Sequence, residues 1–399
     1  MNRTPISNLL LTGEADADGN RIKKIGGSRF DIRDYGALGG GANDTAAIQD
    51  AVDAIPNSGG LLYVPAGTYK YSGETMTLDK KVTIVGDGGM EQFTDDAAIS
   101  TIEFDSATDP LFDVKTSGCS FRDIHLKNTS GTIPTDGSAI LVSGHGGILD
   151  ASRVHCSGLT ISKFYKGIDV ESGSCHVFDN VFILDPVLYC MRLANLATPD
   201  GGDHSLSNCF FYHGDLAREA DAALRIESGG GIKIVNLKVN AQIGALINGI
   251  ELAVPDNVQT VDLLVANCSI ENYTGAGIKG TTGATNSKWG NLLFTALQFA
   301  PSVSGSEYAI HLSPTTAGDF TGVCIANCYA ITGTSSNPMV FLQNCHNISF
   351  VGCGGAGFND LLSLGTGNTF ARSAIVPPGG TTGQSLKKAS NNNFDVVWG

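Results

Sequence analysis

Apolar residues recur along this chain in short alternating groups, each closed by a turn residue. One group has the form Asn, apolar, any, apolar. It appears as Asp123-Ile124-His125-Leu126, Gly158-Leu159-Thr160-Ile161, Asn180-Val181-Phe182-Ile183, Asn208-Cys209-Phe210-Phe211, Asn236-Leu237-Lys238-Val239 and Asn267-Cys268-Ser269-Ile270. Ala296-Leu297-Gln298-Phe299, Asn327-Cys328-Tyr329-Ala330 and a weaker Gly352-Cys353 continue it, at separations of about 22 to 35 residues. Between copies lies a second group, apolar, any, apolar. Its members are Ile168-Asp169-Val170, Met191-Arg192-Leu193, Leu224-Arg225-Ile226, Ile250-Glu251-Leu252, Ile278-Lys279-Gly280, Ile310-His311-Leu312, Val340-Phe341-Leu342 and Leu362-Ser363-Leu364.

Alternation is the strand period. Two strands at fixed phase per repeat predict one coil of a β-solenoid, and a third strand is compatible but less clear. Stacking coils about 4.8 Å apart lets each strand pair with its copies above and below. The pattern excludes leucine-rich repeats, and the β-branched and small residues exclude helical solenoids. The recurrent Asn180, Asn208, Asn236, Asn267 and Asn327 are expected at turns, because Asn tolerates the left-handed conformation and its side chain can bond along a column.

The stretch from Phe30 to Gly88 is different. Phe30, Ile32 and Tyr35 predict a strand running into Gly39-Gly40-Gly41. Asp44 is placed to cap a helix with its carboxylate, and Ala47, Ile48, Ala51, Val52 and Ile55 give that helix one apolar face. Gly59-Gly60 ends it. Residues 61–69 then read as a strand broken by a Pro-Ala-Gly turn, and residues 82–89 as another ending in glycines.

This whole string resembles the pectate-lyase-3 group of the pectin-lyase-like superfamily, which includes bacteriophage tailspikes. Gly39-Gly40-Gly41 and Asn43 stand where that group usually has Gly-Asp-Gly and a second Asp, a departure confined to turn residues. The resemblance implies an all-β, right-handed parallel β-helix with one short capping helix, often a homotrimer and often acting on polysaccharide.

The ends read differently from the middle. Residues 1–29 are polar and aperiodic and resemble the short head-binding leaders of phage tail proteins. Residues 376–399 follow Pro377-Pro378 and resemble a segment of phage tail fibres in which Gly-Gln-x-Leu and a late Trp recur. The expected organisation is a virion anchor over 1–29, a β-helix over 30–375 with its cap and first coils in 30–90, and a trimerisation segment over 376–399.

Composition narrows the partners. The 399 residues are 42 % hydrophobic and only 16 % charged, with 51 glycines and a net charge of −14. Abundant Gly with little charge suits short strands and turns. The negative charge argues against nucleic acid as the main partner. No run is long enough to span a bilayer, and the first 13 residues hold no signal-peptide core. Ten cysteines without a CxxC pair read as small buried hydrophobes, in keeping with assembly in a reducing host cytoplasm.

Candidate chemistry lies on the second strand, whose middle residue points outward. Stacking is expected to build a column Asp169, Arg192, Arg225, Glu251, Lys279, His311, beside a second one of Glu171, Ala194, Glu227 and Ala253. Such columns suit a sugar-binding face, although for any single residue a solvated salt-bridge ladder, for example Arg225–Glu251–Lys279, is the first reading. Glycosidases need two carboxyls about 6.5–9.5 Å apart for inversion and about 5–5.5 Å for retention. Rung spacing puts Glu227 and Glu251 at roughly 8 Å and Asp169 and Glu171 at roughly 7 Å, so these four are the candidate catalytic residues. Arg192, Arg225, Lys279 and His311 are the candidate substrate-binding residues.

No zinc spacing and no phosphate-binding loop is present, so no cofactor is expected, with Ca²⁺ a possible participant only if the reaction were an elimination. Gly144-His145-Gly146 and Arg225-Ile226-Glu227 resemble polygalacturonase motifs, but the accompanying Asn-Thr-Asp and Asp-Asp are missing. Asp203-His204 reads as a turn or a groove wall. The expected function is a tailspike of the virion tail, attached to tail or baseplate proteins. It would bind and depolymerise host surface polysaccharide, by hydrolysis ahead of elimination. The alternatives are a non-enzymatic receptor-binding or structural tail fibre, and a stand-alone bacterial enzyme of the same superfamily.

Overall fold

The computed structural model describes residues 29–89, 99–144, 151–194, 202–215, 220–242, 244–283, 285–301, 308–314, 319–330 and 340–353, with the backbone of three further strands, Leu362–Leu364, Leu386–Lys388 and Val396–Trp398. The chain divides into two compact units, Met1–Leu184 and Asp185–Gly399. Each is a parallel β-solenoid. The expected anchor over 1–29 and the boundary at Pro377-Pro378 fall outside the described residues, apart from Arg29.

The first unit opens on the strand Arg29–Asp31, parallel to Gly60–Val64. The strand expected to reach Tyr35 stops early. Asp31 Oδ1 accepts the Arg33 N–H at 3.0 Å, and Ile32–Tyr35 coils into a 3₁₀ turn that ends at Gly36 with φ 100°. The helix Thr45–Asp53 buries Ile48, Ala51 and Val52. Asp44 does not cap it with its carboxylate. Its Oδ1 instead accepts the Leu38 N–H at 2.7 Å and pins the glycine loop, while Asn43 Oδ1 accepts the Thr45 N–H at 3.1 Å. The expected strand broken at Pro-Ala-Gly is the pair Gly60–Val64 and Gly67–Tyr71. Later rungs add in parallel, with Ser138–Val142 between Phe112–Val114 and Lys166–Val170.

In the second unit the third strand per coil is explicit. One coil is Ala220–Ile226, Ile232–Val235 and Lys238–Ala241, and the next is Leu246–Val254, Gln259–Ala266 and Ser269–Glu271. Each strand pairs in parallel with its successor. The core is built of stacked columns, one of them Ile234, Val265, Phe294 and Ile325, in register and fully buried. Burying each such side chain contributes about 1.5–3 kcal/mol.

The recurrent asparagines make the corner between the second and third strands. Asn208, Asn236, Asn267 and Asn327 have φ between 51° and 57°. Asn236 Nδ2 donates to Asn208 Oδ1 at 3.0 Å and Asn267 Nδ2 to Asn236 Oδ1 at 2.6 Å. Turn and ladder are one device. Near the end of the chain, Leu386–Lys388 and Val396–Trp398 form an antiparallel pair.

Candidate functional site

The outward residues of the second unit's first strand align in the expected order. Arg192 stands opposite Arg225, Arg225 opposite Glu251, Glu251 opposite Lys279, Lys279 opposite His311, and His311 opposite Phe341. The flanking residues of each triplet fill the core, so strand pleat alone sets this column outside.

At its centre Arg225 holds two carboxylates. Nε donates to Glu227 Oε1 at 2.6 Å and Nη1 to Glu251 Oε2 at 3.0 Å. Arg192 Nη1 stands 3.9 Å from Glu227 Oε2. The guanidinium of Arg225 lies 5.5 Å from the centre of the Tyr189 ring. Burial pulls the Arg225 pKa down, and Glu251 and Glu227 more than offset it, so the group is held above its ordinary range. Burial above all raises the Tyr189 phenol, with Arg225 acting in the opposite sense. Both carboxylate side chains are about nine-tenths covered, Glu227 12 % and Glu251 11 % exposed. The ladder read from sequence thus contains Arg225 and Glu251, with Glu227 as the further acid; Lys279 makes no ion pair among the described residues.

Toward its far end the column becomes aromatic. The rings of Tyr308 and His311 have centres 4.4 Å apart, His311 and Phe341 5.0 Å, and Tyr308 and Phe341 5.7 Å. All three are half-buried. Sequence reasoning missed Tyr189, Tyr308 and Phe341. Phe341 was findable, since it is the middle residue of Val340-Phe341-Leu342. Tyr308 and Tyr189 begin their strands and carry no such signal.

Asp169 and Glu171 lie in the first unit. Asp169 occupies the outward register position, aligned through Leu141 with Asp113, yet its side chain is only 2 % exposed and meets Lys166 Nζ at 2.7 Å. An outward-pointing residue was expected to be open to solvent; Lys166, three positions earlier on the same strand, folds over it. Glu171 is half-buried just after that strand. The same face carries a network not read from sequence: Ser143 Oγ donates to Asp113 Oδ1 at 2.5 Å, Lys115 Nζ donates to Ser143 Oγ at 2.8 Å, and Lys115 pairs with Asp113 at 3.0 Å. Asp203 turns the chain at φ 59°, and His204 beside it is 1 % exposed, so this pair makes a corner, not a groove wall. His145 and Gly146 lie outside the described residues.

Among the described residues no group of three or more His, Cys, Asp or Glu side chains is arranged to hold a metal ion, and no helix is long and apolar enough to cross a membrane.

Residues 29–106 match the family described as rhamnogalacturonase A/epimerase, pectate lyase-like, over the stretch where the sequence resembles that superfamily. Mannuronan C5-epimerase AlgE3 of Azotobacter vinelandii is 48 % identical over 67 residues, 15 % of this chain and 4 % of that protein. The chain therefore spans only a small fraction of the curated relatives it matches. Among solved structures, full-length tailspike protein 2 from Escherichia coli O157:H7 bacteriophage CAB120 aligns with a TM-score of 0.54 at 14 % identity, covering 88 % of this chain and 42 % of that one. The Agl-KA catalytic domain aligns with a TM-score of 0.51 at 14 % identity, covering 86 % and 68 %. At such identities the likeness is one of fold, the pectate-lyase-like parallel β-helix.

Proposed function

We propose that this protein is a tailspike-type, carbohydrate-active β-helix that binds a host's surface polysaccharide along the outward column of its second unit and hydrolyses it there. The observation that carries the reading is the column itself. Arg192, Arg225, Glu251, Lys279, His311 and Phe341 stand on successive rungs and put cations, a carboxylate and aromatic rings on one face. Hydroxyl-rich rings are bound by that mixture: aromatic faces take the apolar side of a sugar, and charged groups take its hydroxyls through charge-assisted hydrogen bonds. The fold it shares with a phage tailspike supports the same reading, as does the short match to a polysaccharide epimerase.

In this reading Glu227 and Glu251 flank the scissile bond, one as general acid and one as general base. Arg225 engages both carboxylates, so a substrate must displace or share the guanidinium before either can act. Calcium enters only if the bond is broken by elimination. Homotrimer assembly, with residues 376–399 as its clasp and residues 1–29 joined to tail or baseplate proteins, belongs to the same proposal, as does a place in the virion tail.

A second reading has its own support. Because both carboxylates are committed to Arg225, the face is also suited to binding without cleavage, which is the behaviour of a receptor-binding fibre. Incubating the purified protein with polysaccharide from a susceptible host and reading chain length and product ends separates the two. Shortened chains with new reducing ends establish the hydrolase, an unsaturated end sugar makes it a lyase, and bound but intact polymer makes it an adhesin.

A further inference from the structure

Two thiols stand one rung apart where the last described coils turn. Cys328 follows Asn327 and Cys353 follows Gly352, corner residues with φ 51° and 64°. The Asn327 N–H donates to the Val351 carbonyl at 2.8 Å, and a side chain on Gly352 would run into the Asn327 amide. One corner therefore sits directly on the other. Both thiols also use their surroundings alike. Cys328 Sγ lies 3.4 and 3.7 Å from the Ala326 and Phe294 carbonyl oxygens, and Cys353 Sγ 3.8 and 3.5 Å from those of Val351 and Ile325.

The position after the corner is occupied in turn by Cys209, Leu237, Cys268, Leu297, Cys328 and Cys353. Leucines separate the earlier thiols. Only Cys328 and Cys353 are consecutive in this series, and they are in side-chain hydrogen-bond contact. They are not equivalent. Cys328 is 1 % exposed, whereas Cys353 is half-buried and reachable from solvent. The hydrogen bond from Cys328 brings the Cys353 thiol down to about 7 against the opposing effect of burial. The same contact, followed by burial, pushes Cys328 up. Cys353 is thus the more accessible and the more readily ionised thiol, with a protonated partner behind it; an attacking and a resolving cysteine are arranged this way.

We propose that Cys353 is a modification site for low-molecular-weight disulfides, and that Cys328 resolves the adduct to close a Cys328–Cys353 disulfide. In the first step the Cys353 thiolate attacks one sulfur of the small disulfide. A mixed disulfide forms and one small thiolate leaves. In the second step the Cys328 sulfur attacks the Cys353 sulfur, the second small thiol departs, and the Cys328 proton goes to a departing thiolate. The two protein thiols are oxidised by two electrons, and the small disulfide is reduced to two thiols. Adjacent rungs put the Cα atoms about 4.8 Å apart, inside the range of about 4.4–6.8 Å that disulfides span. The site is independent of what the carbohydrate face does.

The test uses the whole protein incubated with oxidised glutathione, quenched in acid, alkylated and mapped by peptide mass. In the wild type the 328 and 353 peptides are expected joined, lighter by two hydrogens, with no lasting glutathione adduct. Cys328→Ser is expected to trap one glutathione on Cys353, and Cys353→Ser to give neither product. Cys268→Ser serves as the control and should match the wild type. Serine places a hydroxyl in a buried position, so Cys328→Ala repeats the trapping experiment, with circular dichroism confirming the fold of each variant. In the native protein at pH 7, Cys353 should alkylate at least tenfold faster than Cys328. Wild-type Cys353 that stays fully alkylatable, or that keeps its glutathione as the Cys328 variants do, overturns the proposal.

Discussion

Arg225 and Glu251 occupy the same outward position on consecutive rungs, and Nη1 of the one donates to Oε2 of the other at 3.0 Å. A register set by core packing has thus delivered a charge pair to the outward side of the strand, where Glu251 remains largely covered. Removing the arginine leaves Glu251 and Glu227 together without their shared cation. Arg225→Met is expected to cost about 2 kcal/mol, less than a fully buried pair because the guanidinium retains some solvent. Chemical denaturation measures it; an unchanged midpoint would mean the pair is a geometric alignment with no energetic weight.

If the face hydrolyses polysaccharide as proposed, Glu227→Gln and Glu251→Gln should separate catalysis from binding. Each should reduce polysaccharide cleavage by a hundredfold or more, in line with about 10²–10⁴ for general acid–base groups, while retaining binding to host cells. Full turnover in both variants would remove the pair from the mechanism.

The aromatic end of the column should act in binding alone. Tyr308→Ala and Phe341→Ala are expected to weaken polysaccharide affinity several-fold each, since an aromatic contact contributes about 0.5–1.5 kcal/mol beyond its buried area. Affinity electrophoresis in gels containing the polymer reads this directly, and wild-type migration shifts would count against the platform.

Acid should destabilise the protein before it reaches carboxylate pKa values. Burial lowers His213 to about 3 and His176 to about 4. Between those values and the ordinary histidine pKa near 6.5, the unfolded chain binds protons that the folded chain refuses. Stability is therefore complete above about pH 6.5 and falls as pH drops, by up to about 1.4 kcal/mol per pH unit for each histidine. His213→Gln should flatten the dependence of urea midpoints on pH between 6.5 and 4; the same slope in the variant would exclude this cause.

The corner positions make a paired prediction. Ala296 holds φ 53° where its neighbours in the series carry Asn or Gly, so Ala296→Gly should raise stability, by up to about 1 kcal/mol. Asn236→Ala should lower it by about 1–2 kcal/mol through backbone strain and the loss of two ladder bonds. Asn236→Gly keeps the backbone and loses only the bonds. If glycine and alanine at 236 cost the same, strain is not the reason for asparagine.

The solenoid was legible because its signal is repeated. Each triplet such as Ile250-Glu251-Leu252 is weak alone, and the register of one rung confirms the next. The middle strand of each coil, such as Gln259–Ala266, was harder to read because stretches such as Asp262-Leu263-Leu264-Val265 are apolar on both faces and lack clean alternation. Local turn chemistry was the least legible. Asp44 and Asn43 are both competent caps, and their roles depend on the Leu38 N–H, brought near by a glycine loop whose path no pattern encodes. In the candidate site the column order was readable, since pleat dictates it. The cover that Lys166 lays over Asp169 was not, because a long flexible side chain can take several directions from one position.

Stacked coils also bear on how such a chain can change. In a solenoid each coil contacts mainly its neighbours, and in the second unit each coil contributes one residue to the outward column. Deleting or duplicating a coil between two asparagine corners would shorten or lengthen the face by one step and leave the other steps in register. The extent of the outward face can thus change in whole-coil increments, with no redesign of the core that carries it.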